Sequence, residues 1–110
     1  MSGSDLFTGT LDILVLRTLA AAPLHGYAIG RLLRERSEGV LSVEEGALYP
    51  ALHRLEGRGL LDGEWGRTDT GRRAKFYRVT VEGRSHLARE AERWAEYSGA
   101  VSAILGGRSS

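Results

Sequence analysis

The side chains able to do chemistry in this 110-residue chain are few, and they are scattered. Its three histidines, His25, His53 and His86, fall in three different segments. Glu82, His86 and Glu90 recur at i, i+4, i+8 and would align on one helix face, a spacing that suits a metal ion. Solvated helix faces produce the same spacing by chance, so no metal is assigned. Cysteine is absent, which excludes disulfides and thiolate metal sites. No glycine-rich phosphate loop, nucleophile elbow or paired buried carboxylates can be read, so the chain does not look like an enzyme and no cofactor is expected.

The informative chemistry is cationic and aromatic. Net charge is only +1, which argues against a general polyanion binder. Between Trp65 and Val79, however, Arg67, Arg72, Arg73, Lys75 and Arg78 face the single acid Asp69, a local charge of +4. From Val81 to Leu105, three arginines meet four glutamates, a local charge of −1. Such concentration in one short segment is the pattern of an electrostatic footprint for phosphates. A second oddity is Tyr49-Pro50, which puts a proline inside a helical pattern beside an outward-facing aromatic ring. In a helix interior proline removes one donor and costs about 3 kcal/mol.

Local patterns define the elements that must position these residues. Leu11 to Ala22 is apolar nearly all round and reads as a buried helix stopped by Pro23. After the turn "PLHG", in which His25 shapes the entry, a second helix is predicted from about Tyr27 to Arg36 and ends at Glu38-Gly39. Ser42-Val43-Glu44-Glu45 has capping-box spacing and announces a third helix, with Leu48, Leu52 and Leu55 as its buried stripe. Gly57 and Gly59 close it. Leu60 to Trp65 and Lys75 to Thr80 read as strands joined by a long basic loop, with Trp65 a hairpin or core residue and Arg78 paired with an acid such as Glu64. Thr80 is placed to cap a last helix, from about Val81 to Leu105, with Glu82 near its positive end. Leu87, Ala91, Trp94, Ser98, Val101 and Leu105 form a heptad seam along that helix, and packing against a second copy would cover it.

Three helices, a hairpin with a long loop and a final helix give the order of a winged helix-turn-helix: mostly α with a small β-hairpin and a long C-terminal dimerisation helix. Within one compact unit, residues 1–80 are expected to form the DNA-binding part and residues 81–110 the dimerisation helix. "HGYAIGRLL", "GALYPALHRLEGRGLL" and "GRRAKFYRVTVEGR" occur in this order. On these motifs, from roughly Leu11 to Leu105, the chain resembles the PadR family of bacterial transcriptional regulators. The resemblance implies a homodimer that binds operator DNA, usually as a repressor, and releases it when an effector arrives.

In such a domain the third helix enters the major groove. Tyr49, Pro50, His53 and Arg54 are therefore DNA-binding candidates, with the alternative that Tyr49 and Pro50 only shape the helix start. Arg72, Arg73 and Lys75 are candidates for phosphate or minor-groove contact from the wing. In part of the family a tryptophan matching Trp94 stacks on flat cationic or aromatic ligands in a pore between subunits. Ala91 and Ser98 would leave room there, or would let the helices close so that Trp94 only packs the dimer. Leu87, Ala91, Trp94, Val101 and Leu105 are the expected dimer contacts. The partners implied are double-stranded DNA, a second copy and a planar effector. A winged helix that serves only as a protein-interaction module is the alternative, which the basic segment disfavours. No run approaches the roughly 20 apolar residues of a membrane span, and a cytoplasmic location is expected.

Overall fold

The apolar helix read at the start of the chain is the pillar around which the others assemble. In the computed structural model, which describes residues 3–106 and side chains from residue 9 onward, α1 spans Gly3–Leu19. Leu11, Val15, Leu16 and Leu19 are buried, and Ile13 and Leu14 pack at the edge of the same core. The helix ends at Leu19 rather than at Ala22, because the Ala20 N–H turns back to the Arg17 carbonyl and the chain becomes extended.

Extension from Leu24 makes a strand that the sequence did not announce. β1 (Leu24–His25) is two residues long, too short for any periodicity, and pairs with Tyr77 and Phe76 of the hairpin. α2 (Gly26–Arg36) begins directly after it, and the Ala28 N–H donates to His25 Nδ1 at 3.4 Å. It ends where predicted: Glu38 and Gly39 take positive φ, and the Gly39 N–H bonds the Arg34 carbonyl.

α3 runs Glu45–Gly57 and buries Leu48, Ala51, Leu52 and Leu55. Its N-cap is Glu44, not Ser42, and no side chain caps it. The Glu44 carbonyl accepts the first helical bonds, from Ala47 and Leu48, while Val43 packs against the core. That anchoring holds the chain extended past Ser42, so the capping box does not form. α3 passes through Pro50 without ending.

The hairpin is longer and its loop shorter than expected. β2 (Leu61–Arg67) and β3 (Arg73–Val79) pair antiparallel over seven positions, from Leu61–Val79 to Arg67–Arg73. Gly66 belongs to the strand, paired with Ala74, and the Phe76 ring lies over it so closely that a side chain there would be crowded. β1 completes a three-stranded antiparallel sheet in the order β1-β3-β2.

α4 (Val81–Ile104) is capped as predicted: the Gly83 N–H donates to Thr80 Oγ1, and that hydroxyl donates to the Gly59 carbonyl. Its first turns are locked to the α3–β2 turn, since a Cβ on Gly83 would collide with the Leu60 carbonyl. Leu87 lies in the core of the chain itself, in one cluster with the α1 leucines, so the exposed seam starts beyond it rather than at it. The rest of α4 leaves the body, and the molecule reaches 50 Å along its long axis. None of the described helices is long and apolar enough to cross a membrane.

Candidate nucleic-acid interface

The outer face of α3 and the inward face of the hairpin form the two walls of an open groove, with the start of α2 at one end. Tyr49 stands on the α3 wall and is partly exposed. Its ring lies against Gly26 so closely that a Cβ there would be 2.7 Å from a ring carbon. The "HG" of the turn thus leaves space for the tyrosine and fixes its direction. Pro50 is exposed beside it, and His53, one turn on, also lines the groove.

Arg54 does not join them. Its guanidinium donates to Asp12 on α1 at 2.7 Å, and that carboxylate is only 9% exposed. One helical residue past His53 turns the side chain about 100° away, toward the core. Asp12, an acid within the otherwise apolar run Leu11 to Leu16, was the available signal, because a buried carboxylate requires a partner.

The hairpin wall carries most of the charge. Its end is a tight turn: the Thr68 N–H bonds the Arg72 carbonyl, the Gly71 N–H bonds the Thr68 carbonyl, and Arg67 donates to the Gly71 carbonyl. This fixes the backbone from which Arg72 and Arg73 project, both of them exposed. The Arg73 guanidinium lies 4.8 Å from the Trp65 ring centroid, a cation–π contact. Trp65 is 59% exposed, so it belongs to the hairpin surface and not to the core. Lys75 is committed elsewhere: its ammonium donates to Glu56 of α3 at 2.8 Å. That hydrogen bond raises the lysine pKa above its ordinary value, and burial raises that of Tyr77 behind it. Arg78 points to the opposite sheet face and approaches Asp62 at 3.9 Å rather than Glu64. Both partners are well exposed, so that pair adds little stability.

Two groove residues were not anticipated, Tyr27 and Arg31, which bring a ring and a cation from α2. The groove is lined by Arg31, Arg67, Arg72, Arg73 and Lys75 against Glu45 and Asp69, an excess of three positive charges. The arrangement can neutralise phosphates, stack on sugars or bases through its rings, and offer an outward helix face between them.

A second exposed surface lies on α4. Trp94 and Tyr97 have ring centroids 5.9 Å apart and are 42% and 41% exposed. Ala91, Val101 and Leu105 continue the surface, with Ser98 donating to the Ala95 carbonyl. Tyr97 and the largely exposed Ile104 extend it beyond the predicted seam. Glu82, His86 and Glu90 form no metal-binding cluster among the described residues.

The sequence pattern of the transcriptional regulator PadR-like family matches residues 15–89. Transcriptional regulator Rv3488 of Mycobacterium tuberculosis is 38% identical over 95 residues, covering 86% of this chain and 82% of its own. A transcriptional regulator from Clostridium thermocellum has the same fold, with a TM-score of 0.82 at 27% identity, covering 96% of this chain and 99% of that one. A PadR family transcriptional regulator from Eggerthella lenta gives a TM-score of 0.76 at 35% identity, over 92% of this chain and 86% of that one. The four helices and three-stranded sheet are therefore a winged helix of this kind, and the chain belongs to the PadR-like family of transcriptional regulators, which act through DNA and are not enzymes.

Proposed function

We propose that this regulator is a homodimeric repressor that reads a pseudo-palindromic operator and lets it go when a planar aromatic or cationic effector binds. The observation that carries the reading is the groove, in which Tyr49 and His53, with Pro50 exposed beside them on α3, face a hairpin end bearing Arg72 and Arg73. A helix face of that kind fits the major groove, while the hairpin reaches the neighbouring phosphates or minor groove. Arg54 and Lys75 are left out of the contact set, since each already has a carboxylate. Tyr27, Trp65 and Arg67 enter it.

Residues 1–80 would serve as the reading head and residues 81–110 as the assembly arm. Two arms joined through Ala91, Trp94, Val101 and Leu105 would hold two α3 helices at a fixed separation, and half-sites would be about one duplex turn or a multiple apart. Between the arms, Trp94 and Tyr97 offer flat faces for an effector. Action on DNA implies a cytoplasmic protein. Selection of bound fragments from the host genome, followed by gel shifts at low and moderate salt, tests the reading. Recovery of a two-fold symmetric site supports it, and no retained duplex at low salt refutes it. For the effector, Trp94→Ala should abolish fluorescence quenching by planar dyes that quench the parent protein; equal dye affinity in the variant removes the stacking role.

A further inference from the structure

Gly63 sits in the middle of β2, opposite Tyr77, where a larger residue would ordinarily strengthen the strand. A Cβ at this position would run into the Lys75 side chain and come within 3.0 Å of a Glu56 carboxylate oxygen. The glycine is a channel: through it the Lys75 stem crosses from β3 over β2 and ends on Glu56, in the last turns of α3. The lysine and glutamate side chains are 26% and 31% exposed, and the ammonium lies 5.4 Å from the centroid of the buried Tyr77 ring. Among the described residues this is the one hydrogen bond that joins α3 directly to β3.

Glu56 is otherwise badly placed. A carboxylate near a helix C-terminus opposes the helix dipole. It also adds negative charge beside a groove whose floor includes Lys75 and Tyr77, and so weakens the field that would attract phosphate. Both costs make sense when Glu56 is one end of a strut. We propose that Glu56 and Lys75 are positioning residues that fix the angle between α3 and the wing, and thereby set the preference for operator over bulk DNA. This rests on the DNA-reading function proposed above. The lysine charge serves the protein's own geometry and touches no phosphate. Freed from the strut, the hairpin can tilt on its turn at residues 58–60, and the two contact surfaces no longer meet one duplex in register.

The two roles of Lys75 make opposite predictions for Glu56. If Lys75 bound phosphate, removing the neighbouring acid would tighten binding to every duplex. If the pair is a strut, the same change weakens the selected site. The test measures affinities of the full chain, of Glu56→Gln, of Lys75→Met and of the charge exchange Glu56→Lys with Lys75→Glu. Two probes are used, a short duplex recovered from the genomic selection and a scrambled permutation of it. Misplacing one well-aligned side chain on its base is worth about tenfold, so the ratio of the two affinities should fall by about that factor in both single variants. Binding to the scrambled duplex should hold in Lys75→Met with an unchanged salt slope. The charge exchange rebuilds the pair and should recover most of the ratio. Tighter or equal binding of the selected duplex by Glu56→Gln overturns the strut. So does a uniform loss and a shallower salt slope in Lys75→Met, or an exchange variant no better than the single ones. A parent protein that retains neither duplex at low salt instead overturns the DNA-reading function itself.

Discussion

Replacing Arg54 by alanine separates a structural arginine from a DNA-reading one. The guanidinium donates at 2.7 Å to an Asp12 carboxylate that is 9% exposed, whereas the arginine itself is 38% exposed. Removing one partner of a fully buried pair costs about 3–5 kcal/mol, because the remaining charge is stranded. Here water can enter where the half-exposed arginine stood, which lowers the expected loss to about 2–3 kcal/mol. Unfolding of a domain this size carries roughly 230 cal/mol/K of entropy, so the melting temperature should fall by about 10 °C. Equilibrium urea unfolding followed by circular dichroism, at one fixed protein concentration so that the proposed pairing of chains does not enter the comparison, provides the measurement. A surface arginine reserved for DNA would change stability by less than about 0.5 kcal/mol. A variant that stable, with weakened operator binding, would refute the assignment of Arg54 to the Asp12 ion pair.

Other outcomes follow from the same geometry. Gly83→Ala places a better helix former in α4, worth about 1 kcal/mol, yet its Cβ meets the Leu60 carbonyl and lies 2.7 Å from a Val79 methyl. A net loss of about 1–3 kcal/mol in urea unfolding is expected, and a more stable variant would contradict that close approach. On the proposed pairing through α4, the parent should sediment as two chains and Val101→Glu, which puts a charge into that surface, as single chains, with the far-ultraviolet spectrum of the body retained; a parent that sediments as single chains contradicts the pairing. Lys75 and Tyr77 both hold their protons more tightly when folded. The unfolded chain releases those protons first, so stability should be level through neutral pH and decline above about pH 10. Glu56→Gln should lessen the decline by removing the lysine's share, as urea midpoints on either side of that pH would record.

The parts of the fold legible in the sequence are those fixed by neighbours along the chain. Thr80 caps α4 through a bond to the third residue on, and Leu48, Leu52 and Leu55 share a face because of helical spacing alone. Where a tertiary partner decides, the chain gives less away. Ser42 has the right spacing to cap α3, but the packing of Val43 moves the helix start to Glu45. Arg54 and Asp12 are 42 residues apart, and only the packing of α3 on α1 makes them a pair. Lys75 reads as one more wing cation because the receiving Glu56 belongs to another element. Leu87 fits the heptad seam as well as it fits the core, and periodicity alone does not separate those two fates. β1 is too short to leave any pattern, so the third strand could be found only from its pairing with β3.

In the proposed function the groove between α3 and the hairpin is held on duplex DNA by the hairpin's arginines. The salt dependence of binding to a selected duplex, compared between the parent protein and the Arg72→Ala, Arg73→Ala variant, decides whether they hold it. Each phosphate left without its arginine should make the logarithmic slope shallower by about 0.9, so the variant is expected to lose roughly two units of slope per protomer, with weaker binding to all sequences alike. An unchanged slope and affinity would mean that these arginines do not hold the duplex.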